Sequence, residues 1–335
     1  MNPTSSVIFS KDHELKQAIM LVEPMLDEIE ARLDQAYDVH RLGLEEDRAR
    51  IEANPQAIRA VVTGGGTGLS REWFDRLDAL GLVAINGVGT DKVDLELARS
   101  RGVHVSTTPG VLADDVADMA MALILGVLRR IAEGDRFVRD GQWASGGKLA
   151  LGASLKGRRL GILGIGQIGR ALGRRAEAFG MHIGYWNRSD RDGQEAWSKF
   201  GSPVELAAAS DVLAVCVAAT PQTEKIVGRD VLAALGPGGL LVNVARGSVV
   251  DEDALIAALE ARVIAGAGLD VFDNEPKIRP EFLALDNVLL APHQGSATVE
   301  TRCAMGEIVL ENLAAYFAGA TPPTSVVEMK TEAAR

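Results

Sequence analysis

The run Arg159-Leu160-Gly161-Ile162-Leu163-Gly164-Ile165-Gly166-Gln167-Ile168-Gly169-Arg170-Ala171-Leu172 carries a short apolar strand straight into spaced glycines and then into helical sequence. The elements in order are strand, tight turn and helix start. Gly164 permits the sharp turn, Gly166 lets backbone come close to a diphosphate, and Gly169 lets the new helix sit against the strand. The N–H groups of Gln167, Ile168 and Gly169 have no partner inside the helix and stand at the positive end of its dipole, which suits an anion. Glycines in this spacing also mark plain turns, so the weight of the motif comes from its surroundings.

From this point to the end of the chain, apolar runs at 159–163, 182–186, 212–217, 239–244, 265–269 and 288–290 read as six strands, with helices between them, notably at 168–178 and 252–261. That count and order match a doubly wound dinucleotide-binding domain. The first part alternates in the same way, with strands at 19–22, 37–40, 60–62, 82–85 and 103–105 and helices at 25–33, 71–80 and 93–101. It implies a second α/β domain with a parallel sheet. Two glycine turns follow strands there, Thr63-Gly64-Gly65-Gly66-Thr67-Gly68 and Asn86-Gly87-Val88-Gly89. Open sheets bind ligands beyond the carboxyl ends of their strands, so both turns are candidates for holding a small anion, although by themselves they read more readily as plain turns.

Between the two parts, 112–139 reads as one long, mostly apolar helical region whose Asp114 and Asp115 suit a helix N-terminus. Its broad apolar surface suggests burial on more than one side, including against a second subunit. A loop at 141–147 carries an exposed Trp143, and a last helix covers 299–317.

A chain of 335 residues with 47% apolar and 24% charged residues is an ordinary globular protein long enough for two domains. Its net charge of −11 argues against nucleic acid and anionic membrane as partners. Cys216 and Cys303 lie far apart, which speaks for a reducing, cytoplasmic setting and against a disulfide framework; no metal is called for. Residues 1–16 lack the basic start and apolar core of a signal peptide, and the apolar run at 116–128 is broken by Asp118 and short for a bilayer.

An NAD-specific domain of this type ends its second strand in Asp or Glu, roughly 20 residues after the glycines. Here the strand ends Tyr185-Trp186-Asn187-Arg188-Ser189, with no carboxylate. Arg188 can pair with a 2′-phosphate, and Asn187 and Ser189 can donate to it, so NADP(H) is preferred and NAD(H) remains usable. Further on, Arg246 follows the strand at 239–244, Glu275 lies in the turn after the strand at 265–269, and His293 follows the strand at 288–290. All three fall at one sheet edge. An arginine fork matches a carboxylate, a histidine exchanges protons near neutral pH, and a carboxylate on its other nitrogen orients it, which together equip a site for reducing a 2-oxo acid. Singly each has an ordinary structural reading; at one edge they point to chemistry.

The stretches at 88–94, 108–118, 164–169, 243–251, 268–276 and 292–298 together resemble the D-isomer-specific 2-hydroxyacid dehydrogenases over roughly residues 19–326, and within them the NADPH-dependent glyoxylate and hydroxypyruvate reductases and their 2-ketogluconate reductase relatives. The resemblance implies that Arg246, Glu275 and His293 are the catalytic trio. It implies that Asp270 meets the nicotinamide carboxamide, and that Val217, Pro221, Thr223, Val244, Ala245 and Gly295 line the cofactor. It reverses the plain reading of the glycine turns: Gly64, Gly65, Val88 and Gly89 would hold the substrate carboxylate, with Trp143 reaching a neighbouring subunit's site. It further implies a flavodoxin-like substrate domain, 1–105 and 298–335, with a Rossmann cofactor domain, 106–297, inserted in it. Hinges fall near 105 and 297, the cleft closes on substrate, and the long helix makes a homodimer.

Formate dehydrogenases of the same fold carry glutamine where Glu275 stands, and phosphoglycerate dehydrogenases usually keep the ribose-binding acid that is missing here. The nicotinamide-sensing corepressor of this fold keeps a similar trio, so the trio alone does not exclude a binding protein. The physiological 2-oxo acid stays open.

Overall fold

The structure is a computed structural model that describes residues 16–188 and 196–327. Ser189, one of the expected phosphate ligands, lies outside them. The first part runs β1 (Ala18–Leu21), α1 (Asp27–Ala36), β2 (Asp38–Arg41), α2 (Glu45–Ala53), β3 (Ile58–Gly64), α3 (Arg71–Arg76), β4 (Leu82–Asn86), α4 (Leu95–Ser100) and β5 (His104–Ser106). The second part runs α5 (Ala113–Leu128), α6 (Ile131–Arg139), β6 (Arg159–Leu163), α7 (Gln167–Ala178), β7 (His182–Trp186), β8 (Ser198–Lys199), α8 (Pro203–Ala208), β9 (Val212–Val215), α9 (Arg229–Leu235), β10 (Leu240–Asn243), α10 (Glu252–Glu260), β11 (Gly266–Leu269), α11 (Pro280–Ala284) and β12 (Val288–Leu290). α12 (Val299–Phe317) closes the order. By contacts the chain divides into two units, residues 1–108 with 305–335 and residues 109–304, so that the second boundary falls inside α12.

The first unit holds a five-stranded sheet, β2-β1-β3-β4-β5, with parallel neighbours throughout. This is the flavodoxin-like order. β4 is buried along its whole length, as a parallel strand covered on both faces must be. Leu21, Val62 and Ala84 pack on one face with Leu33 of α1 and Leu313 of α12, while Val61, Val83 and Ile85 pack on the other with Phe74 and Leu77.

The second unit holds a seven-stranded parallel sheet, β12-β11-β10-β9-β6-β7-β8. Numbered within the unit, that is the dinucleotide-binding order 3-2-1-4-5-6 with one strand added outside the sixth. The six strands read from the sequence are therefore not the six of that order. The one left out is β8, which is two exposed residues, Ser198 and Lys199, paired to Gly184 and Tyr185. So short and polar an edge strand carries no apolar signal.

The region at 112–139 is two helices and not one. Arg130 takes a left-handed φ of 54° and breaks the helix without a glycine or proline to announce it. The broad apolar surface of α5 is used inside its own unit: Leu123 packs on Gly268 of β11, where a Cβ would come within 2.9 Å of the Leu123 Cβ. α6, by contrast, has no buried residue and leaves Ile131 and Val138 exposed. Among the described residues no helix is long and apolar enough to cross a membrane, and Cys216 and Cys303 form no disulfide.

Candidate active site

At the carboxyl end of β6, in the second unit, Gly164 has φ +103° and lies so close to the β9 end that a Cβ would stand 2.7 Å from the Val217 nitrogen. A larger residue fits neither the angle nor the space. A Cβ on Gly169 would collide with the Gly164 carbonyl, so helix and turn can meet only at glycine. Gly166 faces open space. It caps α7, and no side chain caps the helix, so an anion can take the first-turn N–H groups.

A recess of about 240 Å³ opens in front of this turn, lined by Gly164, Gly166, Asn187, Arg188, Val217 and Thr220 among others. It lies where the chain crosses from β7 on one side of β6 to β9 on the other, the switch point at which open sheets bind ligands. Asn187 does more than line it: its Oδ1 accepts from the Ile165 N–H at 3.2 Å and steadies the glycine turn. Arg188 reaches across to Thr220 Oγ1 at 3.4 Å and Gln222 Oε1 at 3.2 Å. Thr223 is buried and folds the loop back by donating to the Ala218 carbonyl at 2.7 Å, which leaves Pro221 on the surface. The Cys216 thiol, also on the recess, is pushed up to about 12 by burial and is inert as a nucleophile.

The expected trio comes from loops of the same unit. His293 follows β12 and Glu275 follows β11; His293 Nδ1 and Glu275 Oε2 are 2.6 Å apart. The other Glu275 oxygen accepts from the Phe272 N–H at 2.8 Å. Burial pushes the Glu275 carboxyl up, but the hydrogen bond with His293, the Phe272 N–H and the charges of His293 and Arg246 outweigh it, and the group lies below its ordinary value. It is an anion at neutral pH. Nδ1 being taken, Nε2 is the ring nitrogen that can meet a substrate oxygen.

Arg246 follows Val244 and Ala245 at the end of β10, in a loop held from below: Asn243 Nδ2 donates to the Arg246 carbonyl at 2.9 Å and Asn243 Oδ1 accepts from Ala245 N–H at 3.0 Å. Next to it, Gly247 passes the Phe272–Asp273 backbone so closely that any Cβ would collide with it. Gly247 therefore sets the distance between the arginine's loop and the glutamate's loop, a role no single-residue pattern discloses.

Asp270, 1% exposed, does something besides the expected cofactor contact. Its carbonyl accepts from His293 N–H, and its two carboxylate oxygens accept from Gln294 and Gly295 N–H, each at 2.8 Å. This clamp holds His293 at φ 53°, a left-handed backbone that is costly for a residue with a side chain. Burial raises the Asp270 carboxyl above its ordinary value, against the pull of those two N–H groups.

In the first unit, the turns after β3 and β4 approach each other, with Gly87 and Gly65 so near that a Cβ on Gly87 would stand 3.2 Å from the Gly65 nitrogen. Val88 is exposed beside Gly89. Trp143 is 68% exposed on the second unit.

A glycine turn at the switch point of a parallel sheet and a histidine–carboxylate pair at the same sheet's edge define a dinucleotide-binding protein equipped for proton transfer. The family profile "D-isomer specific 2-hydroxyacid dehydrogenase, NAD binding domain" matches residues 121–295. A 2-ketogluconate reductase of Gluconobacter oxydans is 44% identical over 313 residues, 93% of this chain and 99% of that protein. A glyoxylate/hydroxypyruvate reductase A of Arabidopsis thaliana is 41% identical, over 92% and 98% of the two chains. The crystal structure of an NADPH-dependent glyoxylate/hydroxypyruvate reductase from Sinorhizobium meliloti, in complex with NADP and malonate, matches with a TM-score of 0.87 at 40% identity, over 93% of this chain and 97% of that one. The chain belongs to the D-isomer-specific 2-hydroxyacid dehydrogenase family.

Proposed function

We propose that this protein reduces small 2-oxo acids, glyoxylate, hydroxypyruvate or 2-ketogluconate, to D-2-hydroxy acids with NADPH. The observation that carries the reading is the 2.6 Å contact between His293 Nδ1 and Glu275, which leaves Nε2 as a proton donor at the edge of a dinucleotide-binding sheet. The bare glycine at 166 and the uncapped α7 fit the diphosphate, and Arg188, standing where an acid would mark NAD, fits a 2′-phosphate. Val217, Pro221, Thr223, Val244, Ala245 and Asp270 complete the cofactor's surroundings. When bound, NADPH supplies the hydride to the keto carbon.

The remaining work belongs to side chains. Arg246 binds the substrate carboxylate and draws charge onto the keto oxygen. Nε2 of His293 gives its proton to that oxygen as negative charge develops on it. Ionised Glu275 holds the ring by Nδ1 and keeps Nε2 turned to the substrate oxygen. On the first unit, the Val88–Gly89 turn offers backbone N–H groups to the substrate, and the Gly64–Gly65 turn lines the substrate beside it. The cytoplasm suits two cysteines that form no disulfide, and exposed Ile131, Val138, Trp143 and Leu151 suit a homodimer.

The test is a panel of glyoxylate, hydroxypyruvate, pyruvate and 2-ketogluconate with NADPH and with NADH. NADPH oxidation with at least one acid, faster than NADH oxidation, is expected, and Arg188→Ala should raise the KM for NADPH far more than for NADH. Absence of turnover with every acid would leave a nicotinamide-sensing binding protein instead.

A further inference from the structure

On the first unit, residues at the carboxyl edge of the sheet hold acceptors that nothing in the described protein answers. Leu21 lies opposite Val62, and the Val22 N–H continues the ladder to the Val62 carbonyl at 2.9 Å, which brings Glu23 opposite Gly64. Gly64 is paired in turn with Asn86. Two residues earlier on the same strands, Leu21, Val62 and Ala84 share one core face. Side chains alternate along a strand, so Glu23 and Asn86 project from that face with only a glycine between them.

Glu23 uses the gap: a Cβ on Gly64 would collide with its carboxylate, which also accepts from the Thr67 hydroxyl. Asn86 is 8% exposed and its Oδ1 has no partner. Thr108, whose N–H bonds the Gly87 carbonyl at 2.8 Å, is wholly buried, and its hydroxyl has no partner either. Buried polar atoms of this kind call for a ligand that completes them. The complement of a carboxylate and an orphan amide oxygen is a donor. A carboxylate brought to the Gly64–Gly65 turn would meet the like charge of Glu23, which leaves Val88–Gly89 as the better place for the substrate's own carboxylate.

We propose that Glu23 and Asn86, flanking Gly64 with Thr108 beside them, bind hydroxyl groups of a polyhydroxylated 2-oxo acid, and that a sugar acid is preferred over two-carbon glyoxylate. This rests on the 2-oxo acid reductase reading. Glu23's carboxylate lies over Gly64, one strand from Asn86, a spacing of about 4.8 Å that hydroxyls on one carbon chain can bridge. A hydroxyl also suits all three groups, since it donates to Glu23 and Asn86 Oδ1 and can pair with Thr108 in either sense. An ammonium would donate to these groups as well but accepts nothing, which leaves the buried Thr108 O–H without an acceptor.

The experiment compares kcat/KM for 2-ketogluconate, glyoxylate and an ammonium-tailed 2-oxo acid that cannot cyclise, 6-(trimethylammonio)-2-oxohexanoate, with NADPH. Wild-type protein should favour 2-ketogluconate. Glu23→Ala and Asn86→Leu should each lower the 2-ketogluconate to glyoxylate ratio about tenfold or more, mainly through the KM for the sugar acid. Calorimetry of D-gluconate with the NADPH-loaded wild-type protein and Glu23→Ala, a dead-end pair in which both partners are already reduced, gives a readout without turnover: binding should weaken in the variant, even where Asn86→Leu fails to fold. An unchanged ratio with unchanged gluconate binding, or a wild-type preference for glyoxylate or for the ammonium-tailed acid, would overturn the site and leave the reductase reading standing. No turnover with any acid would overturn the reading beneath it.

Discussion

Asp270 sets where His293 stands. Three backbone N–H groups in a row, those of His293, Gln294 and Gly295, end on this one residue, so the left-handed turn at His293 depends on a carboxylate that accepts twice. Asp270→Asn keeps the shape but turns one acceptor into a donor facing an N–H. We expect kcat to fall roughly tenfold to a hundredfold, with cofactor affinity changing less, because a small displacement of the proton donor is costly. Equal kcat in the variant would remove the clamp from the account. Glu275 carries a pH signature. Its pKa is lowered in the folded protein, so its contribution is full above the ordinary value of 4.5 and is lost as pH falls through the folded value beneath it. Glu275→Gln should therefore cost roughly 1–2 kcal/mol of stability at pH 7, and denaturation curves of variant and wild type should converge as the pH drops below 4.5. Asp270 has the opposite sign: its raised pKa makes stability fall as pH rises through the window above 3.8. Arg246, Glu275 and His293 were legible as chemistry-bearing types after apolar runs. The Asp270 clamp, the Gly247 spacer and the Glu23–Asn86 row were not, because each depends on what packs across from it.

The elements that could be read ahead of the structure are those whose burial is written in their composition. β6, β7 and β12 match their apolar runs residue for residue, and α12 matches its helical stretch. β8 and α2 escaped, one because it is two polar residues and the other because a single buried residue, Ile51, gives it no apolar stripe. The break between α5 and α6 has no glycine or proline to signal it. It changes where a second subunit is expected: α5 is satisfied within its own unit, and the exposed apolar residues of this region, Ile131, Val138, Trp143 and Leu151, sit on α6 and in the segment after it. In the proposed homodimer Val138→Asp places a charge in that surface, and sedimentation should show a dimer for the wild type and a monomer for the variant. An unchanged dimer would move the interface elsewhere.

At the scale of the whole chain, two parallel sheets of different strand order each carry loops of the proposed site at the carboxyl edge, where open sheets bind ligands. Alternation of strands and helices announced both sheets. Only the motif resemblance suggested that the chain enters the second unit and returns, since pairing between distant segments leaves no local trace. The central claim is that His293 is the proton donor of a 2-oxo acid reductase. Its most direct test is the turnover of His293→Gln beside wild type, with NADPH binding followed by fluorescence. kcat should fall about a hundredfold to ten-thousandfold with the cofactor still bound. Near wild-type turnover would contradict it.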